Sequence, residues 1–216
     1  PDFCIREVAN HAIMLLLSCA KKVARLDRDL RAGGWGAARA ALSPMGQIHG
    51  QTLGLLAFGN IARATARRAQ AFDMRVVTYD PFVDGAEMEA AGVEPLTLEA
   101  LAARSDYVSC HVPLNPHTQG MLGAAFFSNM KPTAYFINTS RGRVVNERDL
   151  IAALQQGTIA GAGLDVYEQE PLADDHPFTH MDNVVLTPHS ASYADATMEM
   201  LFRRAENAAL AIARGE

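Results

Sequence analysis

The sequence predicts an α/β fold, a doubly wound and mostly parallel sheet with helices on both faces. Two observations predict it. Short apolar, β-rich runs alternate with helical segments along nearly the whole chain, and such alternation builds parallel sheets through βαβ crossovers. The second is the stretch Thr52-Leu-Gly-Leu-Leu-Ala-Phe-Gly-Asn-Ile-Ala62, followed by Met74-Arg-Val-Val-Thr-Tyr-Asp80. Strand, small-residue turn, helix, strand, and an acid about 20 residues past the turn is the Rossmann-type fingerprint of dinucleotide binding.

The elements follow in order. Residues 5 to 31 read as one long helix, apolar almost all round in its first half, and therefore buried on several sides or set in an interface. It ends at Gly33-Gly34, and a loop rich in Gly, Pro and Ala starts at Trp35. Leu53 to Phe58 is a buried strand, Asn60 to Phe72 a helix, and Met74 to Asp80 a strand closed by Pro81. Glu87 to Ala91 is helical and Val93 begins a short extended piece. Leu98 to Arg104 is a helix capped by Thr97, and Tyr107 to Val112 a strand. Gly123 to Met130 is helical, and Ala134 to Asn138 is a buried strand. Asn146, with Asp149 three residues on, caps a helix running to Gln156. Ile159 to Val166 is a strand whose two glycines imply a close backbone approach, and Asn183 to Thr187 is the last strand. Ala194 to Ala213 is a long amphipathic helix.

Bulk properties narrow the function classes. Hydrophobic residues make up 49% of the 216 and charged residues 20%, enough for a substantial core. The net charge of −5, with no basic run, argues against nucleic acid as a partner. Cys4, Cys19 and Cys110 are odd in number and lack metal-ligand spacing, so free thiols in a reducing, cytoplasmic setting are expected. Ala12 to Ala20 is apolar but too short to span a bilayer, and Lys21-Lys22 follow it rather than precede it. It reads as a buried helix, and no membrane partner is expected.

In open α/β sheets ligands bind beyond the carboxyl ends of the strands. The turn residues Ala57, Gly59, Asn60 and Ile61 are the expected pyrophosphate contacts, at a helix N-terminus that favours negative charge. The pattern departs from G-x-G-x-x-G/A at Ala57, where a methyl fits if φ stays negative. Asp80 is the expected acceptor for an adenosine ribose, although an ordinary βαβ unit shows the same pattern. His111, Pro113 and Thr139 fall at or just after strand ends, on the expected cofactor edge. So do Arg141, Asp165, Glu170 and His189. Arginine is the natural bidentate clamp for a carboxylate. A histidine beside a carboxylate such as Glu170 can hold a transferable proton near neutrality. Each also has a plainer reading as a loop residue. His176 and His180 stand four apart, but Pro177 between them breaks helical spacing, and no metal site is expected.

Taken together, Thr52 to Ala62, Tyr79-Asp-Pro81, His111-Val-Pro-Leu114, Met130-Lys131, Ile137-Asn-Thr-Ser-Arg-Gly142, Leu164-Asp-Val-Tyr-Glu-Gln-Glu-Pro171 and Leu186-Thr-Pro-His189 resemble the NAD-binding domain of the D-isomer-specific 2-hydroxyacid dehydrogenases. The resemblance covers nearly all of the chain. It implies NAD as cofactor, with Asp80 repelling the 2′-phosphate of NADP, and a small 2-oxo or 2-hydroxy acid as substrate. It implies Arg141 as the substrate-carboxylate clamp, His189 as acid/base, Glu170 as its carboxylate partner and Asp165 as a nicotinamide-carboxamide contact. It also implies one dinucleotide-binding domain over residues 1–216, an opening helix that serves interdomain and dimer contacts, and a substrate domain outside the chain. A homodimer is therefore expected, with Trp35 either in its contact or in the core.

Two departures matter. Ala57 is shared with the formate dehydrogenase branch, but Glu170 stands where that branch carries glutamine, which argues against formate. Ser190-Ala-Ser-Tyr193 is more similar to the branch of the C-terminal-binding-protein corepressors. That similarity keeps open a second reading, an NAD(H)-sensing dimeric interaction protein.

Overall fold

The computed structural model describes residues 3–214. Its first strand is β1 (Thr52–Leu56), every residue of which is buried. Strands β2 (Arg75–Tyr79) and β4 (Tyr107–Cys110) flank it, both parallel. The sheet continues through β5 (Tyr135–Asn138), β6 (Gly161–Leu164) and β7 (Val184–Leu186) on one side and β3 (Glu94–Pro95) on the other. The seven strands run in the order β3-β2-β1-β4-β5-β6-β7, all parallel. The order reverses between β1 and β4, which opens a crevice at their carboxyl ends.

Helices cover both faces, as the near-continuous apolar strands require. On one face α1 (Ile5–Ala20) and α4 (Asn60–Gln70) press Leu15, Leu16, Ala62, Ala66 and Ala69 onto Leu53, Leu55, Val76 and Ile137. On the other, α6 (Leu98–Arg104), α7 (Ala124–Ser128) and α8 (Glu147–Gln155) bury Leu101, Phe126, Phe127, Leu150 and Leu154 against Val108 and Phe136. The predicted caps are in place: Thr97 Oγ1 accepts the Ala100 N–H and Asn146 Oδ1 the Asp149 N–H. Asp84 also caps α5 (Gly85–Ala90) by accepting the Ala86 N–H. The chain ends in α9 (Asp195–Arg214). Among the described residues, no helix is long and apolar enough to cross a membrane.

Helix α1 lies unusually close to β6. A side chain at Gly163 would meet Leu15 Cβ at 3.0 Å and Ile137 Cδ1 at 3.1 Å, so glycine is what lets the helix settle onto the strand. This answers the close approach that the glycines of that strand implied.

Three expectations are corrected. The long helix predicted over 5–31 is two, α1 and α2 (Val23–Arg31), broken at Lys22, whose φ is +53°. Lys22 Nζ donates to the Ala41 carbonyl at 2.9 Å, and α2 buries no residue, so its pattern carries no core signal. Trp35 does not start a loop but opens α3 (Trp35–Ala40), with 68% of its surface exposed, which rules out the core alternative. Ala57 has φ +72°, not the negative value its methyl prefers. The turn keeps the left-handed geometry of the missing glycine at a cost of about 1–2 kcal/mol.

Candidate active site

The carboxyl edge of the sheet gathers the expected residues from successive strand ends. The turn after β1 is pinned to the end of β2: the Ala57 N–H donates to the Tyr79 carbonyl at 2.8 Å, and the Phe58 N–H to Asp80 Oδ2 at 2.8 Å. Asp80 Oδ1 accepts the Phe82 N–H at 2.9 Å. The acid at the crevice thus holds the turn while staying partly exposed, with lone pairs to spare. Asn60 and Ile61 open α4, whose first turn has no side-chain cap, so backbone donors face outward. A Cβ added to Gly59 would meet nothing within 4 Å, which leaves open space for an anion to approach the backbone.

Beyond β4, the His111 N–H donates to the Leu56 carbonyl, and its Nε2 lies 3.0 Å from Ser109 Oγ. Burial pushes the His111 pKa down to about 4, so the ring is neutral at physiological pH. Pro113 is exposed, and its carbonyl accepts from Thr118 Oγ1 at 2.6 Å.

After β5, Asn138 Oδ1 accepts the Ser140 N–H at 3.0 Å and Asn138 Nδ2 donates to the Arg141 carbonyl at 3.2 Å. This local turn sets the Arg141 backbone and leaves its guanidinium exposed, with Nη1 on the Ser140 carbonyl. Thr139 is buried, and its Oγ1 has no hydrogen-bond partner. An orphaned hydroxyl at the carboxyl edge fits a bound polar group.

The loop after β6 carries Glu170, and the turn after β7 carries His189. His189 Nδ1 lies 2.6 Å from Glu170 Oε2, both side chains being partly exposed. Glu170 Oε1 accepts the Tyr167 N–H at 3.0 Å, and the Tyr167 hydroxyl donates to the Thr187 carbonyl at 2.8 Å. One tyrosine thereby braces both members of the pair. The His189 backbone is left-handed, φ +52°, and its N–H donates to the Asp165 carbonyl at 2.8 Å. A cleft of about 540 Å3 opens here, lined by Tyr167, Glu170, Leu172, Leu186 and His189. The Arg141 and Glu170 loops touch directly: a Cβ at Gly142 would strike the Tyr167 carbonyl group.

Asp165, expected against a nicotinamide carboxamide, lies at this edge with its carboxylate fully buried and turned to the protein. It accepts from Thr187 Oγ1 at 2.6 Å and from the Ser190 and Ala191 N–H groups at 2.9 Å each. His176, set aside as a metal ligand, pairs with Glu147 at 3.1 Å while its Nδ1 accepts the Phe178 N–H.

Sequence reasoning passed over Tyr167, Gly142 and His11. His11 on α1 reaches Thr187 Oγ1 at 2.8 Å. The available signal was a polar side chain between Val8 and Leu15 on the otherwise apolar stripe that α1 buries.

The sequence model for the D-isomer-specific 2-hydroxyacid dehydrogenase NAD-binding domain matches residues 13–191. The chain belongs to this family. It is 41% identical to a glyoxylate reductase of Korarchaeum cryptofilum over all of the chain and 65% of that protein. The chain thus spans just under two thirds of that relative's length. A D-lactate dehydrogenase of Aquifex aeolicus, solved with NAD and lactic acid, superposes with TM-score 0.89 at 30% identity, over 100% of this chain and 68% of that one. The holo D-mandelate dehydrogenase of Rhodotorula graminis gives TM-score 0.88 at 32% identity, over 94% and 61%. Family membership makes this sheet an NAD-binding domain. The open turn at Gly59, the uncapped α4, the partly exposed Asp80 and the orphaned Thr139 hydroxyl fit that cofactor.

Proposed function

We propose that this chain carries the catalytic groups for the NAD(H)-dependent interconversion of a small 2-oxo acid and its 2-hydroxy acid, with the rest of the substrate cleft supplied by a further domain. The observation that carries the reading is the 2.6 Å pairing of His189 Nδ1 with Glu170 Oε2 on the edge that also bears Arg141. NAD(H), when bound, would supply the hydride chemistry of the interconversion.

The side chains divide the remaining work. Ionised Glu170 only accepts, so Nδ1 of His189 carries its proton toward Glu170 and Nε2 is left to exchange a proton with the substrate oxygen. In reduction, imidazolium His189 donates from Nε2 to the carbonyl oxygen; in oxidation, neutral His189 takes the hydroxyl proton. The exposed Arg141 guanidinium clamps the substrate carboxylate and presents the oxygen to His189. The backbone donors at Gly59, Asn60 and Ile61 receive the pyrophosphate, and Asp80 receives the adenosine ribose. Neutral His111, Pro113 and the Thr139 hydroxyl line the nicotinamide side.

The test is NADH oxidation by the full-length protein with glyoxylate and a panel of larger 2-oxo acids. The expected result is turnover that His189→Ala lowers at least about a hundredfold while NADH affinity persists. Full turnover by His189→Ala overturns the assignment.

We further propose a homodimer. Met14, Val23, Leu30, Trp35 and Phe72 are exposed, and an apolar groove of about 700 Å3 runs between Ile13, Met14, Leu17, Ile48 and Phe72. Exposed apolar area of this kind marks an interface, and sedimentation analysis giving only monomer counts against it. The free cysteines support a cytoplasmic location.

A further inference from the structure

Helix α1 puts a histidine into the foundations of the His189 turn from 176 positions away from Thr187. His11 Nε2 lies 2.8 Å from Thr187 Oγ1 and 3.4 Å from Asp165 Oδ1. Thr187 Oγ1 in turn lies 2.6 Å from Asp165 Oδ1.

Proton accounting gives this cluster a direction. Burial by itself raises the pKa of Asp165. The hydrogen bonds from His11, Thr187, Ser190 and Ala191 outweigh it, and the net shift is downward. An ionised carboxylate only accepts, so the single Thr187 proton goes to Asp165. The Thr187 oxygen is then free to accept, and among the described residues the donor that reaches it is the His11 Nε2–H, which leans from there toward Asp165 Oδ1. His11 is thereby fixed with its proton on Nε2.

What hangs from this cluster is the turn that bears the imidazole. The Asp165 carboxylate takes the N–H groups of Ser190 and Ala191, and its carbonyl takes that of His189. Those contacts hold His189 at φ +52°, a conformation uncommon for residues other than glycine. A partly buried polar network of this kind is specific only while every member is satisfied. Without its donor, the Thr187 hydroxyl is free to rotate off Asp165, and the turn loses its fixed anchor.

We propose that His11 is a positioning residue for His189, acting through Thr187 and Asp165 to hold the turn that aims the imidazole at Glu170. Its geometric content stands on the contacts alone; its effect on turnover rests on the reading of His189 as the acid/base.

The test uses the full-length protein and the variants His11→Ala, His11→Gln and Thr187→Val. The first readout needs no substrate: the Nδ1 proton resonance of His189 in protein labelled with 15N-histidine, identified by its loss in His189→Gln. His11→Ala and Thr187→Val are expected to shift or broaden it, and His11→Gln, whose amide still donates, to preserve it. The second readout is kinetic. His11→Ala is expected to lower kcat about ten- to hundredfold, the range for a reacting group misplaced by an ångström. The KM for NADH changes less than twofold, and His11→Gln recovers most of the loss. The double variant of His11→Ala and Thr187→Val is expected to be no worse than the poorer single one. An unchanged His189 resonance in His11→Ala overturns the inference, whatever the activity. A wild type inert toward every 2-oxo acid overturns the functional reading instead, and the resonance still decides the positioning role. If His11→Ala does not fold, Thr187→Val against His11→Gln decides the matter by the same signal.

Discussion

Gly142 lies flat against the peptide that joins Tyr167 to Glu168, closer than any side chain permits. Arg141 is its neighbour on one side, and Glu170 lies three residues beyond Tyr167 on the other. This contact fixes the spacing between the proposed substrate clamp and the histidine's partner. Gly142→Ala is expected to destabilise the protein by about 1–3 kcal/mol through overpacking. The KM for the 2-oxo acid should rise more than the Kd for NADH. Thermal unfolding with steady-state kinetics measures both, and an unchanged KM counts against the spacing role.

Glu170→Gln keeps an oxygen for the His189 Nδ1–H and removes the charge that stabilises the imidazolium. Turnover in the reductive direction is expected to fall about ten- to a hundredfold. NADH titration by fluorescence should give an unchanged Kd. A kcat within twofold of wild type rejects a charge-stabilising role for Glu170.

Asp80 is the residue proposed to set cofactor choice. Its carboxylate stands at the end of β2 and also holds the Phe58 and Phe82 N–H groups. Asp80→Ser keeps a short acceptor while removing the charge. The preference for NADH over NADPH is expected to shrink at least about tenfold, or roughly 1.4 kcal/mol. Calorimetric titration with both cofactors measures it, and an undiminished preference transfers the discrimination to another residue.

Stability should depend on pH through His111. Its folded pKa is about 4, against about 6.5 in an unfolded chain. Between these values the unfolded state binds the extra proton, so stability is complete above pH ~6.5 and declines as pH falls toward ~4. The loss can reach about 3 kcal/mol. Asp165, whose folded pKa is lowered, adds a further loss only below the ordinary carboxylate range near pH ~3.9. Urea midpoints taken from pH 7 to 4.5 should fall more steeply for wild type than for His111→Gln. Parallel curves contradict the assignment.

Tyr167→Phe removes the hydroxyl that binds the Thr187 carbonyl and leaves that carbonyl only the longer 3.1 Å contact from the His189 N–H. A cost of about 0.5–1.5 kcal/mol is expected in unfolding free energy. A fall in kcat should accompany it, since the same residue's N–H holds Glu170. Unfolding in denaturant reads the first quantity and initial rates the second.

The alternation of strands and helices was legible because parallel strands buried on both faces leave apolar runs such as Leu53 to Phe58. Arg141, Glu170 and His189 were legible as candidates because each follows a strand, and strand ends of a parallel sheet share one edge. The break at Lys22 was hidden, since a left-handed residue stabilised by a distant carbonyl leaves no local mark. The geometry at Ala57 was misjudged for a related reason: the strands around it over-determine φ against the preference of alanine. Trp35 looked like a candidate core residue by type, yet its position on the short α3 leaves it at the surface. The role of His11 stayed hidden because its partners, Thr187 and Asp165, lie at the far end of the sequence, and periodicity marks the buried stripe but says nothing about contacts at that range.

The parallel order of the strands sends every chemically employed loop to one rim and leaves the opposite rim idle. The turns at Asp73, Gly92 and Gly157 belong to that idle rim and are solvent-facing. They are the natural insertion points for an affinity handle, a fluorophore or a grafted peptide. Cargo placed there is kept a full strand away from bound nucleotide, so the molecule tolerates decoration on one side while its working side stays untouched.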